Sequence, residues 1–278
     1  MQVSNTFIEE TLGYTADRPN LLVRSEEIMN LADISDYLRE INESLLYDDS
    51  IWAQEVEEGV EFADWLFGSR GEGAEDDRRM LMEILGKQAA AQSDDSDRKK
   101  LLISLGEYPD AASERKGYIS RRRSILAEIK TAEEYAEFMQ SCFINSHFAK
   151  DIVQEMCNIK DFPQHAKEIT ENLSVLNDEA IGLYREYYNN LKEAENQLSS
   201  KLLACSGDAA HRDKLFFPFT YYERLNGQEA ASEVSIRCEP HLKLIRKDSD
   251  LRIYFWWTDE KIGDGEKVLV GRIGRHPY

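Results

Sequence analysis

Between residues 25 and 205 apolar side chains recur every three or four positions, the spacing that lines one face of a helix. Ser25, Glu26 and Glu27 open a helix whose stripe runs through Ile28, Leu31, Ile34, Leu38, Ile41 and Leu45. A second helix is expected over 51–67, with Trp52, Val56, Val60, Ala63 and Phe67 on one stripe, ended by the glycine-rich stretch 68–73. Helical spacing resumes from Asp76 to Leu85 and again over 118–160, where Thr131 and Glu134 fit a capping box. Ser93 to Asp97 reads as a polar loop, Tyr108 to Asp110 as a turn, and Phe162 with Pro163 as a break. The longest expected helix, 174–204, would run about 45 Å at 1.5 Å per residue. Its stripe is Leu176, Ala180, Leu183, Tyr187, Leu191, Ala194, Leu198 and Leu202, a pattern that fits a long hairpin or the seam of a homodimer.

Past Cys205 the period changes from helical to alternating. Residues 214–222 are aromatic and β-prone, with Pro218 confining them to an edge. Val234 to Cys238, Leu242 to Ile245, Leu251 to Thr258 and Lys267 to Gly274 read as strands, joined by turn-rich segments. The expected fold is α+β: a mainly helical region over 1–205, then a small antiparallel β module over 206–278.

Charge divides the chain in the same way. Of 34 basic and 53 acidic residues, 12 and 11 lie in 211–278, which leaves 22 basic against 42 acidic in residues 1–210. Residues 1–210 therefore stand at −20 and residues 211–278 at +1, which together make the formal charge of −19. Such a balance argues against indiscriminate nucleic-acid binding, because phosphate contacts need Lys and Arg. It leaves room for a small, shielded phosphate site. No apolar run approaches the roughly 20 residues of a membrane helix, and the first residues lack the basic start and apolar stretch of a signal peptide. Four cysteines without a CxxC pair point to a reducing cytoplasm.

The polar residues of the β module carry the chemistry. They are His241, Lys243, Arg246, Lys247, Arg252, Tyr254, Arg272, Arg275, His276 and Tyr278. Period-two alternation places His241 and Lys243 on one face of their strand, and Arg272 and His276 on one face of the last, with Tyr278 in phase. Cleavage of RNA by its own 2′-hydroxyl needs a base, an acid, and cations for the charge gathering on phosphorus. Imidazole serves at either end, Arg clamps phosphate oxygens, and aromatic rings stack on unpaired bases. The competing reading is a solvated sheet face decorated with cations.

The segments 239–243 (EPHLK), 251–255 (LRIYF) and 270–276 (VGRIGRH) resemble the carboxy-terminal half of the RelE/ParE toxin superfamily, with the YafQ and YoeB branches nearest. The resemblance implies catalytic roles for His241, Lys243, Arg252, Arg272, His276 and Tyr278. Arg252 would bind the phosphate, His276 would be the terminal acid or base, and Tyr278 the positioning aromatic. Arg246, Lys247, Tyr254 and Arg275 would bind RNA. It further implies cleavage of mRNA in the ribosome without metal or other cofactor, as in a toxin–antitoxin or phage-defence effector. ParE relatives keep the fold but act on gyrase, so fold alone does not settle chemistry. The acidic region has no counterpart in the family. It would regulate, dock or target the module, bind a protein partner or inhibitor, or mimic RNA. The alternative is a noncatalytic protein whose helical region binds a partner and whose β module is a docking fold.

Other patterns carry less. Cys142, His147, Cys157 and His165 match no common zinc spacing. Arg115, Lys116, Arg121, Arg122 and Arg123 form a basic cluster in the acidic region; the three consecutive arginines point to three sides of a helix and read as local neutralisation of acidic neighbours, with a phosphate or partner site as the alternative. Nucleotide-binding loops and the familiar hydrolase signatures are absent.

Overall fold

The computed structural model describes residues 3–68, 74–88, 98–201, 205–207, 212–225, 228–244 and 250–277. The chain forms two compact units, Met1–Arg122 and Arg123–Tyr278, so the division falls upstream of the change in charge and pattern near residue 205. No described helix is long and apolar enough to cross a membrane.

The first unit contains β1 (Val3–Phe7), α1 (Ser25–Glu40), β2 (Leu45–Leu46), β3 (Glu55–Glu57), β4 (Val60–Glu61), α2 (Phe62–Phe67), α3 (Glu75–Gln88), β5 (Lys99–Ile103), β6 (Ala111–Ala112) and the start of α4 (Arg115–Ala127). Four of its strands form an all-parallel sheet in the order β2-β1-β5-β6. This corrects the expectation of a mainly helical bundle in this part of the chain. Two of these strands are only two residues long, too short to show alternation. Leu101 and Ile103 of β5 are buried, and such short apolar runs do not announce their element type.

Two of the expected helices change as well. Only α2, the last part of the span 51–67, is α-helical. Gly59 adopts φ +69° and turns β3 back onto β4, which breaks the stripe that Trp52 and Val56 had begun. In the arginine run of α4, Arg122 pairs with Glu43 and Arg123 with Asp178 within the second unit, while Arg121 donates to the Ala111 carbonyl.

The second unit contains α5 (Ala132–Cys142), β7 (Ser146–Phe148), α6 (Ile152–Cys157), α7 (Ala166–Glu186), α8 (Leu191–Lys201), β8 (Cys205–Ser206), β9 (Phe216–Leu225), β10 (Gln228–Arg237), β11 (His241–Lys243), β12 (Leu251–Trp256) and β13 (Val268–Arg275). The capping box forms, with the Glu134 amide donating to the Thr131 hydroxyl at 3.3 Å to start α5. The single long helix does not form. α7 stops at Glu186, and Asn190 accepts from the Glu193 amide to start α8, which packs against α7. Leu176, Ala180, Leu183, Ala194 and Leu198 are all buried, so the stripe is used inside this unit rather than exposed as a seam.

The main sheet runs β7-β13-β12-β11-β8. β11, β12 and β13 form the expected antiparallel meander, but β7 joins β13 in parallel, so the sheet is mixed rather than purely antiparallel. β9 and β10 pair separately as a hairpin, in register from Arg237↔Phe216 to Gln228↔Leu225. That hairpin covers one sheet face: Phe217, Phe219, Ile236 and Cys238 share a buried cluster with Tyr254 and Leu269. Elsewhere in the sheet region Trp257 is fully buried and stacks on Tyr184 of α7 with ring centres 6.3 Å apart.

Candidate functional site

Strand register assembles the site. His241 pairs with Tyr254 and Lys243 with Arg252 between β11 and β12. Tyr254 pairs with Arg272 and Arg252 with Gly274 between β12 and β13. Ser206 of β8 pairs with His241. Directly opposed residues share a face, so Ser206, His241, Lys243, Arg252, Tyr254 and Arg272 stand together on one side of the sheet.

An irregularity sets this alignment. Tyr254 opposes Arg272 while the next residue, Phe255, opposes Val270, so Gly271 is an extra residue on β13. A Cβ on Gly271 would lie 2.5 Å from Phe217 Cδ2 and 2.8 Å from Cys238 Sγ. Glycine there lets the hairpin close onto the sheet, and the extra residue brings Arg272 opposite Tyr254.

Tyr254 is the hub. Its side chain is fully buried, and its hydroxyl lies 2.6 Å from His276 Nδ1. Its ring centre is 5.1 Å from that of His241 and 6.2 Å from that of Phe217. The imidazoles of His241 and His276 are 6.0 Å apart. His241 is only 4% exposed, and its Nε2 lies 3.3 Å from the Ser206 hydroxyl. Burial withdraws Tyr254 from base stacking, the role its aromatic ring suggested, and makes it an interior partner of two histidines. His276 is half-buried.

The cations separate into two groups. Lys243 is exposed and Arg252 half-buried, and Arg252 donates to the Leu251 carbonyl at 2.7 Å. Arg272 is pinned: its Nη1 donates to Glu155 of α6 at 2.7 Å and its Nε to the Arg275 carbonyl at 2.8 Å. Arg275 pairs with Asp250 at 3.2 Å. The full set expected from the sequence therefore does not act as one field of positive charge. Arg246, Lys247 and Tyr278 lie outside the described residues. Glu155 was not anticipated, and no signal in the sequence points to it, since it reaches Arg272 from 117 positions away.

Among the described residues no group of three or more His, Cys, Asp or Glu could hold a metal ion. His147 instead bonds through Nε2 to the Thr220 carbonyl at 2.9 Å. What the sheet face offers is an imidazole hydrogen-bonded to a phenol, beside two cations that neighbour each other across strands. That combination suits proton transfer next to a bound anion. Compared with known protein families, curated proteins and solved structures, the chain matches none.

Proposed function

We propose that the second unit is an endoribonuclease that cleaves RNA by attack of its own 2′-hydroxyl and so blocks translation, with the acidic remainder of the chain regulating or targeting it. The observation that carries this reading is the 2.6 Å contact between His276 and Tyr254 on the sheet face that also presents Lys243 and Arg252. The antiparallel β11–β12–β13 meander is the part a RelE-like module would supply. Here Arg252 and Lys243 hold the phosphate. The His276 imidazole takes the 2′-hydroxyl proton, the 2′ oxygen bonds to phosphorus, and the bond to the 5′ oxygen breaks. Lys243 protonates that leaving oxygen. The products are a 2′,3′-cyclic phosphate and a 5′-hydroxyl.

The test is expression in bacteria of the wild type, Arg252→Ala and His276→Ala, with purified protein assayed on single-stranded RNA in the presence of a chelator. Loss of the acid–base group His276 lowers the rate by about 10²–10⁴-fold and loss of the phosphate-holding Arg252 by about 10²–10³-fold, so both variants should be harmless and leave the RNA intact. Equal toxicity of all three proteins, or no cleavage by the wild type, removes the reading.

A second reading has its own support. Glu155 and Asp250 neutralise Arg272 and Arg275, which suits a noncatalytic docking fold whose cations are structural. That protein would leave RNA intact and remain harmless in all three forms.

A further inference from the structure

In the first unit a cavity of about 340 Å³ opens between the segment 47–52, α2 and α3, with Tyr47, Trp52, Phe67, Met82, Leu85 and Gly86 in its walls. Its volume falls at the small end of ligand pockets, which span roughly 300–1,000 Å³. The walls are aromatic and aliphatic, and no Lys or Arg lines them. We infer that this cavity binds a small organic cation, a protonated primary amine carried on an apolar body. The inference uses the first unit alone and is independent of the cleavage reading.

Shape, hydrogen bonding and charge each favour that ligand. The Tyr47 and Trp52 rings meet edge-on at 84° with centres 6.1 Å apart, and Phe67 tilts against Trp52, also at 6.1 Å. Phe67 is 68% exposed and Met82 41% exposed, apolar surface that a bound apolar body would cover. The Tyr47 hydroxyl spends its proton on the Leu85 carbonyl at 3.2 Å, so toward a ligand its oxygen is an acceptor, suited to an ammonium N–H. Aromatic rings add their own attraction for an ammonium. Asp49 lies on the same short 3₁₀ turn as Trp52. Burial and then the Asp49 carboxylate raise the Tyr47 phenol, so that negative charge is felt at the cavity wall. Residues 45–86 hold 12 acidic side chains against 3 basic ones, a field that draws in a cation and turns away an anion.

The experiment titrates the full chain calorimetrically with 2-phenylethylamine and with 3-phenylpropionate, which share a ring and a two-carbon arm but carry opposite charge. The amine should saturate one site with a Kd below about 1 mM, a modest demand on so small a ligand, and bind at least about tenfold tighter than the carboxylate. Tyr47→Phe should weaken the amine about tenfold, the scale of a hydrogen bond to a charged group. Asp49→Asn should weaken it about threefold, less so at high salt. Gly86 lines the cavity, and a Cβ there would meet nothing within 4 Å, so Gly86→Leu fills the space from an open position. That variant should abolish binding while its thermal midpoint holds or rises, since leucine favours a helix over glycine. No saturable binding of the amine, equal or tighter binding of the carboxylate, or full binding by a folded Gly86→Leu overturns the inference. So does sedimentation that shows the wild type self-associating and Gly86→Leu monomeric, because a second copy then fills the cavity.

Discussion

Arg122 and Glu43 meet through two parallel hydrogen bonds of 2.7 Å each, with the Arg122 side chain fully buried and the Glu43 side chain 26% exposed. The pair closes a wider ring. Asn5 of β1 donates to Glu43, the Tyr118 hydroxyl donates to Asn5, and Arg122 donates to the Tyr118 oxygen. One network thus ties β1, an inner strand of the parallel sheet, to α4 and to the loop before β2.

Removing one partner of a buried ion pair leaves the other charge uncompensated, whereas removing both is often close to neutral. Glu43→Gln should therefore cost the first unit about 2–4 kcal/mol, discounted from the fully buried case because Glu43 is partly exposed. Glu43→Leu combined with Arg122→Met should recover most of that loss. Native-state hydrogen exchange of the β1 and α4 amides measures both. Unchanged protection in Glu43→Gln would show the network to be energetically idle.

This network also marks where sequence reading stops. Asn5 is 2% exposed in the middle of a strand, a buried polar residue that no periodicity announces. β2 and β6 are two residues each, and a parallel strand buried on both faces shows an apolar run rather than alternation. In the second unit β12 and β13 were legible because alternation sorts Tyr254 from Ile253 and Arg272 from Ile273. The shared phase of Arg272 and His276 was legible for the same reason. What alternation does not show is cover. Nothing local says that the β9–β10 hairpin lies over Tyr254, or that Glu155 reaches Arg272. The break between α7 and α8 was written in Asn189 and Asn190, but the apolar stripe runs through them in phase and hides it.

Gly271 should tolerate no side chain. An alanine Cβ would stand 2.5 Å from Phe217 and 2.8 Å from Cys238, both in the buried cluster beneath the hairpin. Overpacking of this kind costs about 1–3 kcal/mol, so Gly271→Ala should lower the thermal midpoint of the second unit. Adding Phe217→Leu should restore part of it by freeing the volume. Wild-type stability in Gly271→Ala would mean that the hairpin does not press on the bulge.

The cysteines should react in an order set by burial. Cys157 is exposed, Cys142 and Cys238 are buried, and burial pushes the Cys238 thiol up and the Cys205 thiol up to about 12. The thiolate is the reactive species. Cys157, itself raised by desolvation and by its bond with Glu133, should be modified first by a thiol reagent, faster at pH 9 than at pH 8. Cys157→Ser should remove that fast phase, and the buried thiols should appear only on denaturation. A fast phase that survives Cys157→Ser would contradict this order.

His147 should make the second unit sensitive to mild acid. Because the Thr220 carbonyl can only accept, Nε2 of His147 carries the proton and donates across 2.9 Å to β9. A second proton would have to enter at Nδ1. Burial, with a smaller contribution from the nearby Lys267 ammonium, holds the folded pKa below the usual histidine value, against the raising effect of the Thr220 bond. The unfolded chain then binds more protons than the folded one as pH drops through about 6.5, so stability rises with pH across that window and is lost below it. Next to this bond the Lys150 amide donates to the Pro218 carbonyl at 2.9 Å, so the hairpin edge is where the loss should be felt first. His147→Gln keeps an N–H donor for Thr220 but cannot titrate. Urea midpoints at pH 7.5, 6.5 and 5.5 should fall more steeply for the wild type than for His147→Gln. Parallel decline of the two proteins would place the acid sensitivity on other groups.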